Sequence, residues 1–301
     1  MEITVALGGG GAKGVAHIGV LQCLEESGYV IRAIAGTSIG GMIAAIYAAG
    51  FHPAEMLERF NDLDFKNLYT RRTGDGPGLL GVAGIYDILS GLIGDKEFSE
   101  LPVPLAVTAT DMNTGREVIL KSGRVVEAAL ATIAIPGVFP PKELGEYILA
   151  DGGLVDPVPV EVARAFAPYL PVVAVALSRP NAEEIHFMEP LNYFESQPLL
   201  HNLARMRVAQ AFNIFVKSFD ITSRRLTEDK LQLDQPEVII RPPVDEIGLL
   251  ESVNIPALAV RGYQETLKVL PELKEALSFS SRMGRIWRRR GSKSLDEQTS
   301  R

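Results

Sequence analysis

Apolar and polar positions along this chain switch repeatedly between two periods. Residues 3–7 form a short apolar run that breaks at glycines 8–11, which predicts a buried strand. Residues 13–27 follow, with Val15, Ile18, Leu21 and Leu24 three apart along one face, and Gly28 after them. That spacing predicts a helix with a glycine stop. Residues 30–35 read as a second strand and residues 38–49 as a second helix, again ended by a glycine, Gly50. The same reading places strands at 105–110, 117–120, 147–150, 172–177 and 238–241. It places helices at 125–131, 159–166, 201–218 and 255–270. Strands alternating with helices predict an α/β fold, with a mostly parallel central sheet and helices on both faces.

Two stretches leave this rhythm. Residues 70–84 contain five glycines and Pro77, and are expected to form a mobile loop. Residues 179–236 show no clear strand and are expected to make a helical excursion over the sheet. No Pro/Gly/Ser-rich linker divides the chain, so residues 1–279 read as one domain and residues 280–301 as a loosely ordered, basic tail.

Composition narrows the function classes. The 301 residues carry 30 Lys and Arg against 37 Asp and Glu, a formal net charge of −7, which disfavours nucleic-acid binding. A single cysteine, Cys23, excludes an internal disulfide and sits on an apolar helical face as a core residue. The first residues, without a basic start or a long apolar run, do not resemble a secretion signal. No stretch approaches the roughly 18 apolar residues of a spanning helix. A cytoplasmic protein with peripheral membrane contact is the expectation.

Three glycine-bearing segments carry candidate chemistry. Gly36-Thr37-Ser38-Ile39-Gly40 is a G-x-S-x-G between a predicted strand and a predicted helix. A sharp turn there lifts a serine hydroxyl above the sheet and leaves the Ile39 N–H at a helix N-terminus, placed for a developing oxyanion. The alternative is a serine that merely caps the helix. Gly9-Gly10-Gly11-Ala12-Lys13-Gly14 also joins a predicted strand to a helix. It fits G-x-G-x-x-G, but no carboxylate ends the second strand to hold a ribose, and Gly14 after Lys13 excludes a P-loop. What remains is a loop offering unhindered N–H groups, or a tight turn that needs small residues. Asp151-Gly152-Gly153 follows a predicted strand, where a carboxylate would meet a ligand at the sheet edge or simply open an Asp-Gly turn. A Ser-His-Asp triad would draw on His17, His52, His186 or His201; the last two follow Asp151 in the required order, yet neither sits in a recognisable turn.

These segments in this order resemble the patatin-like phospholipase family, of bacterial type. The likeness extends over residues 3–177, and more weakly over 238–270. Residues 109–115 (Ala-Thr-Asp-Met-Asn-Thr-Gly) and 131–140, running from Ala131 to Pro140, fit the family as well. The resemblance implies a serine hydrolase acting on lipid acyl esters through a Ser–Asp dyad, with no catalytic histidine, cofactor or obligatory metal. Carried over, the dyad is Ser38 and Asp151, and the oxyanion hole is Gly9, Gly10 and Gly11 with Ile39. Lys13, Gly14, Gly36, Gly40, Gly152 and Gly153 support the motifs. Lys13 departs from the family's usual arginine, which puts in doubt the strength of any ion pair anchored there. Asp111, Asp151 and Asp156 are too scattered to read as a metal loop. Two rival readings share the scaffold: a catalytically idle lipid- or protein-binding regulator, and a hydrolase of small soluble esters or thioesters. In the tail, Arg282, Arg285, Arg288, Arg289, Arg290 and Lys293 surround Met283, Ile286 and Trp287, which suits either an anionic membrane surface or a solvated tail.

Overall fold

The computed structural model describes residues 1–61, 65–180 and 202–278, with side chains of the last segment described from residue 210. His186, His201 and the basic tail lie outside the described residues. The expected strands and helices form. In chain order they are β1 (Glu2–Leu7), α1 (Ala16–Glu26), β2 (Val30–Thr37), α2 (Ile39–Ala48), α3 (Pro53–Asn61), α4 (Phe65–Leu68) and α5 (Ala83–Ile93). Then come β3 (Leu105–Asp111), β4 (Glu117–Leu120), α6 (Val125–Thr132), β5 (Lys142–Leu144), β6 (Tyr147–Asp151), α7 (Val160–Phe166), β7 (Val172–Val175), α8 (Asn202–Asp234), β8 (Val238–Ile240) and α9 (Ile255–Ala276).

Five strands, β3, β2, β1, β7 and β8, run parallel through the centre of an eight-stranded sheet. β1 is wholly apolar apart from Glu2 and Thr4, and is buried from Ile3 to Leu7, as a strand covered on both faces must be. The period of two sorts its neighbours by size. Ala6, Ala35, Ala106 and Ala174 point to one face, where α7 and Leu231 of α8 close over them. Val5, Leu7, Ile34, Val107 and Val175 point to the other, under α1, α2, α6 and α9. Small residues on the first face let α7 and α8 approach the sheet closely.

The antiparallel strands decide where the chemistry falls. β4 pairs with β3 from Val107 to Thr110, so it occupies one edge of that strand. β2 takes the other edge as far as Thr108, and β6 pairs with β3 from Ala109 onward. A strand has only two hydrogen-bonding edges, so β2 and β6 share one, end toward end. Asp151 therefore closes an antiparallel strand in a sheet expected to be mostly parallel. Running inward, β6 brings its last residue to the end of β2.

Three further differences concern length. Within the expected excursion, the described residues 202–234 form one helix of 33 residues, α8, longer than the 201–218 expected. Residues 70–84 are not wholly loop, because α5 begins at Ala83. What precedes α5 is tied down: the Leu79 and Leu80 N–H groups donate to the carbonyls of Gly137 and Val138, and the Arg71 guanidinium donates to the Gly76 and Gly78 carbonyls. α3 and α5 were not foreseen. Their apolar residues are buried only one per turn, at Met56 and Phe60, and at Ile85, Leu89 and Ile93.

Candidate active site

Ser38 stands between β2 and α2 with φ 55° and ψ −130°. A non-glycine residue in that region carries roughly 1–3 kcal/mol of strain, which the surroundings must hold in place. Here they do so by crowding. A Cβ at Gly36 would lie 2.5 Å from the Gly40 backbone, and one at Gly40 would lie 2.3 Å from the Leu7 carbonyl. Only glycine at both positions permits the turn. The Ser38 side chain makes no capping bond to α2, which removes the helix-cap reading. Its hydroxyl donates instead to Asp151 Oδ2 at 2.5 Å.

The Asp151 carboxyl is fully buried, and its other oxygen accepts the Gly153 N–H at 2.7 Å. Gly152 has no room for a side chain, since a Cβ would meet the Thr108 carbonyl at 2.5 Å. Burial pushes the Asp151 carboxyl up from its ordinary 3.8 to about 7, against the lowering pull of the Ser38 hydroxyl and the Gly153 N–H. An ionised form and a protonated form are thus both accessible near neutrality.

A frame of threonines holds the pair, and sequence reasoning missed it as such. Thr132, at the end of α6, accepts the Ser38 N–H at 2.8 Å and donates to the Thr108 carbonyl at 2.6 Å. Thr37 donates to the Asp156 carbonyl, and Thr110 to the Asp151 carbonyl. Thr132 and Thr110 lie inside the two supporting stretches, but threonine is an ordinary strand and helix-end residue, so its type alone signals nothing.

The glycine loop lies directly against the serine. A Cβ at Gly9 would sit 3.2 Å from the Ser38 Cβ, and one at Gly14 would collide with Ile39 at 2.1 Å. The Gly9 N–H is spent on the Pro157 carbonyl at 2.9 Å, so Gly9 leaves the expected donor set. Ile39 opens α2, so its N–H has no acceptor within the helix. Lys13 is buried and donates to Asp220 of α8 at 3.3 Å; desolvation holds its pKa below the ordinary 10.5, with Asp220 opposing. The lysine thus has the ion pair its position suggested, with a single donor on one carboxylate oxygen.

Neither described histidine bonds to the pair. His17 is buried, with Nε2 donating to the Gly8 carbonyl at 2.8 Å, and burial lowers its pKa to about 4. His52 is on the surface beside Glu25. Among the described residues no cluster of three or more His, Cys, Asp and Glu could hold a metal ion, and no helix is long and apolar enough to cross a membrane.

Two cavities meet at Ser38. One, of about 880 Å³ counted to its open mouth, is apolar and runs between Ile39, Met42, Ile46, Phe60, Ile85 and Phe139. The other, of about 430 Å³ counted in the same way out to solvent, passes the polar residues Asp151, Lys13, Asp220, Ser223 and Arg224.

The chain matches the family described as patatin-like phospholipase over residues 5–164. An uncharacterized NTE family protein of Mycobacterium tuberculosis is 36% identical over 197 residues, covering 63% of this chain and 52% of that protein. Lysophospholipase NTE1 of Saccharomyces cerevisiae is 24% identical over 264 residues, covering 83% of this chain and 15% of that protein. The chain therefore spans about half the length of the mycobacterial relative, and a small part of the yeast one. Among solved structures, VipD from Legionella pneumophila aligns over 91% of this chain and 67% of its own, with a TM-score of 0.55 and 15% identity, a likeness of fold.

Proposed function

The chain belongs to the patatin-like phospholipase family, and on that premise we propose that it is a serine hydrolase cleaving acyl esters of lipids through Ser38 and Asp151. The observation that carries this reading is the 2.5 Å bond from the Ser38 hydroxyl to a fully buried carboxylate, made by a serine held at positive φ on a strand-to-helix turn. Asp151 takes the hydroxyl proton as Ser38 Oγ attacks the acyl carbonyl. The oxyanion that forms accepts the N–H groups of Ile39, Gly10 and Gly11. The tetrahedral intermediate collapses, the alcohol leaves with the proton from Asp151, and the acyl group stays on Ser38 as an ester. Water then attacks that ester with Asp151 again as the base, and the fatty acid departs. A carboxylate lifted to about 7 is a stronger base than one at 3.8, which makes a histidine dispensable. The apolar cavity takes the acyl chain.

The test is labelling by a fluorophosphonate. Ser38 should be modified in the wild type, and Ser38→Ala should lose both labelling and ester hydrolysis while remaining folded. Labelling that persists in Ser38→Ala overturns the assignment. His186→Gln and His201→Gln should each keep substantial activity; a loss of about 1,000-fold from either would restore a histidine base.

A further inference from the structure

Catalysis through Ser38 draws on the Gly10 and Gly11 N–H groups, and the loop keeps these two unspent. Around them, the Gly8, Gly9 and Ala12 N–H groups donate to the carbonyls of Val175, Pro157 and Leu249, at 2.9, 2.9 and 2.8 Å. The Gly10 and Gly11 N–H groups have no acceptor among the described residues. What orients them is the peptide that enters the loop, between Gly8 and Gly9. Its N–H is held by Pro157, and its carbonyl is held by His17 Nε2 at 2.8 Å. A peptide flanked by two glycines can turn over at little steric cost, so a hold on both its ends matters.

The same carbonyl lies against the serine turn, since a Cβ at Gly40 would be 2.6 Å from the Gly8 oxygen. The clamped peptide thus joins the first turn of α1, which carries His17, to the first turn of α2, which carries the Ile39 N–H. Both sets of oxyanion donors meet at this peptide.

His17 is a costly residue for a core position. The ring is fully buried. A carbonyl only accepts, so the proton sits on Nε2 and Nδ1 keeps its lone pair. That Nδ1 has no partner among the described residues, and an unmet buried acceptor lowers stability. An apolar side chain would fill the space without that cost. The polar contact the ring does make is to the loop carbonyl. Burial holds its pKa at about 4, so the ring stays neutral and the donor persists where Asp151 titrates, near 7.

We propose that His17 is a positioning residue of the oxyanion hole: its Nε2–H fixes the Gly8–Gly9 peptide, which holds the Gly10 and Gly11 N–H groups toward the acyl oxygen that becomes negative at Ser38. The inference rests on the acyl-hydrolase reading and adds to it a residue outside the dyad and the glycine loop. His17 touches neither the substrate nor the reacting atoms, and takes no proton.

The experiment sets His17→Leu, which removes the donor, beside His17→Gln, whose side-chain N–H reaches about as far as Nε2. The glutamine oxygen replaces an Nδ1 that is already unpaired. With a p-nitrophenyl ester and the full-length chain, His17→Leu should lower kcat by about 10- to 100-fold and leave KM nearly unchanged. That is less than the roughly 100- to 1,000-fold worth of a direct oxyanion donor, because His17 acts through the loop. An alkyl boronic acid, whose tetrahedral adduct on the serine fills the hole, should bind His17→Leu more weakly by the factor that kcat loses. His17→Gln should recover most of the lost kcat, with its pH limb still near 7. Equal losses in both variants, or full kcat in a folded His17→Leu, overturn the proposal. Should His17→Leu fail to fold, nitrogen NMR of histidine-labelled wild type decides at neutral pH. A ring protonated on Nε2 alone supports the clamp, and a proton on Nδ1 overturns it. A wild type that hydrolyses no ester and forms no boronate adduct would strike the acyl-hydrolase reading itself.

Discussion

At the scale of single residues, the proposed dyad predicts that Asp151 couples activity and stability to pH in opposite senses. Its carboxyl titrates near 7 when folded and near its ordinary 3.8 when unfolded. Between those values the folded protein keeps a proton that the unfolded chain has released. This group's contribution to stability is therefore complete below about pH 4 and is lost as pH rises through about 7, a change on the order of 4 kcal/mol. Asp151→Asn removes the titration, so its melting temperature relative to wild type should be distinctly higher at pH 8 than at pH 5. A difference that stays constant with pH would show that Asp151 does not titrate in that range. Activity runs the other way: kcat/KM should climb with pH on a limb centred near 7, as the base ionises. Thr132 offers a second reading at this scale. Thr132→Val leaves the Ser38 N–H and the Thr108 carbonyl without their partner. Denaturant titration should record a loss of about 1–3 kcal/mol, with a fall in kcat as the serine turn loosens.

At the scale of elements, glycines of one composition do opposite things. α1 and α9 cross so closely that a Cβ at Gly19 would lie 1.8 Å from the Ala259 carbonyl, and one at Gly262 would lie 2.0 Å from the Ala16 carbonyl. Each helix uses its glycine to admit the other's backbone. Because α1 carries the glycine loop at its start, this crossing also fixes the loop. Gly19→Val should cost about 2–4 kcal/mol, measured by urea unfolding, since backbone and not a flexible side chain must give way. Gly91, exposed on α5, has nothing within 4 Å of its missing Cβ. Gly91→Ala should stabilise by about 0.5–1 kcal/mol, by helix propensity alone. If both changes destabilised equally, the close approach of α1 and α9 would be wrong.

At the scale of the whole molecule, Ser38 sits where two differently lined cavities join, and each is built from elements distant in sequence. The apolar one draws on α2, α3, α5 and the segment after α6. In a series of p-nitrophenyl esters, kcat/KM should rise by at most about fourfold per added methylene, the worth of roughly 0.8 kcal/mol each, until the cavity is full. Ile88→Phe narrows that cavity from α5, and should move the optimum to shorter chains with little change for acetate. An unchanged optimum would place the acyl chain elsewhere.

Much of this protein was determined by sequence alone, for a local reason. Strand and helix periods, glycine stops and the G-x-S-x-G turn depend on residues within a few positions of one another, so β1, α1, β2 and α2 were legible with their ends placed to within three residues. Ser38 was legible for the same reason, since flanking glycines announce a backbone that other residues cannot follow. Asp151 was legible as a motif, but its strand direction was not. An apolar run of four residues has no arrow in it, and only pairing with β3 beyond the end of β2 sets Asp151 against Ser38. The loss of Gly9 from the donor set was equally out of reach, because its N–H is claimed by Pro157, 148 positions away. The threonine frame and the two cavities depend on contacts between remote segments. Hydrogen bonds and ion pairs at such separations leave no period in the chain, and only the folded arrangement decides them.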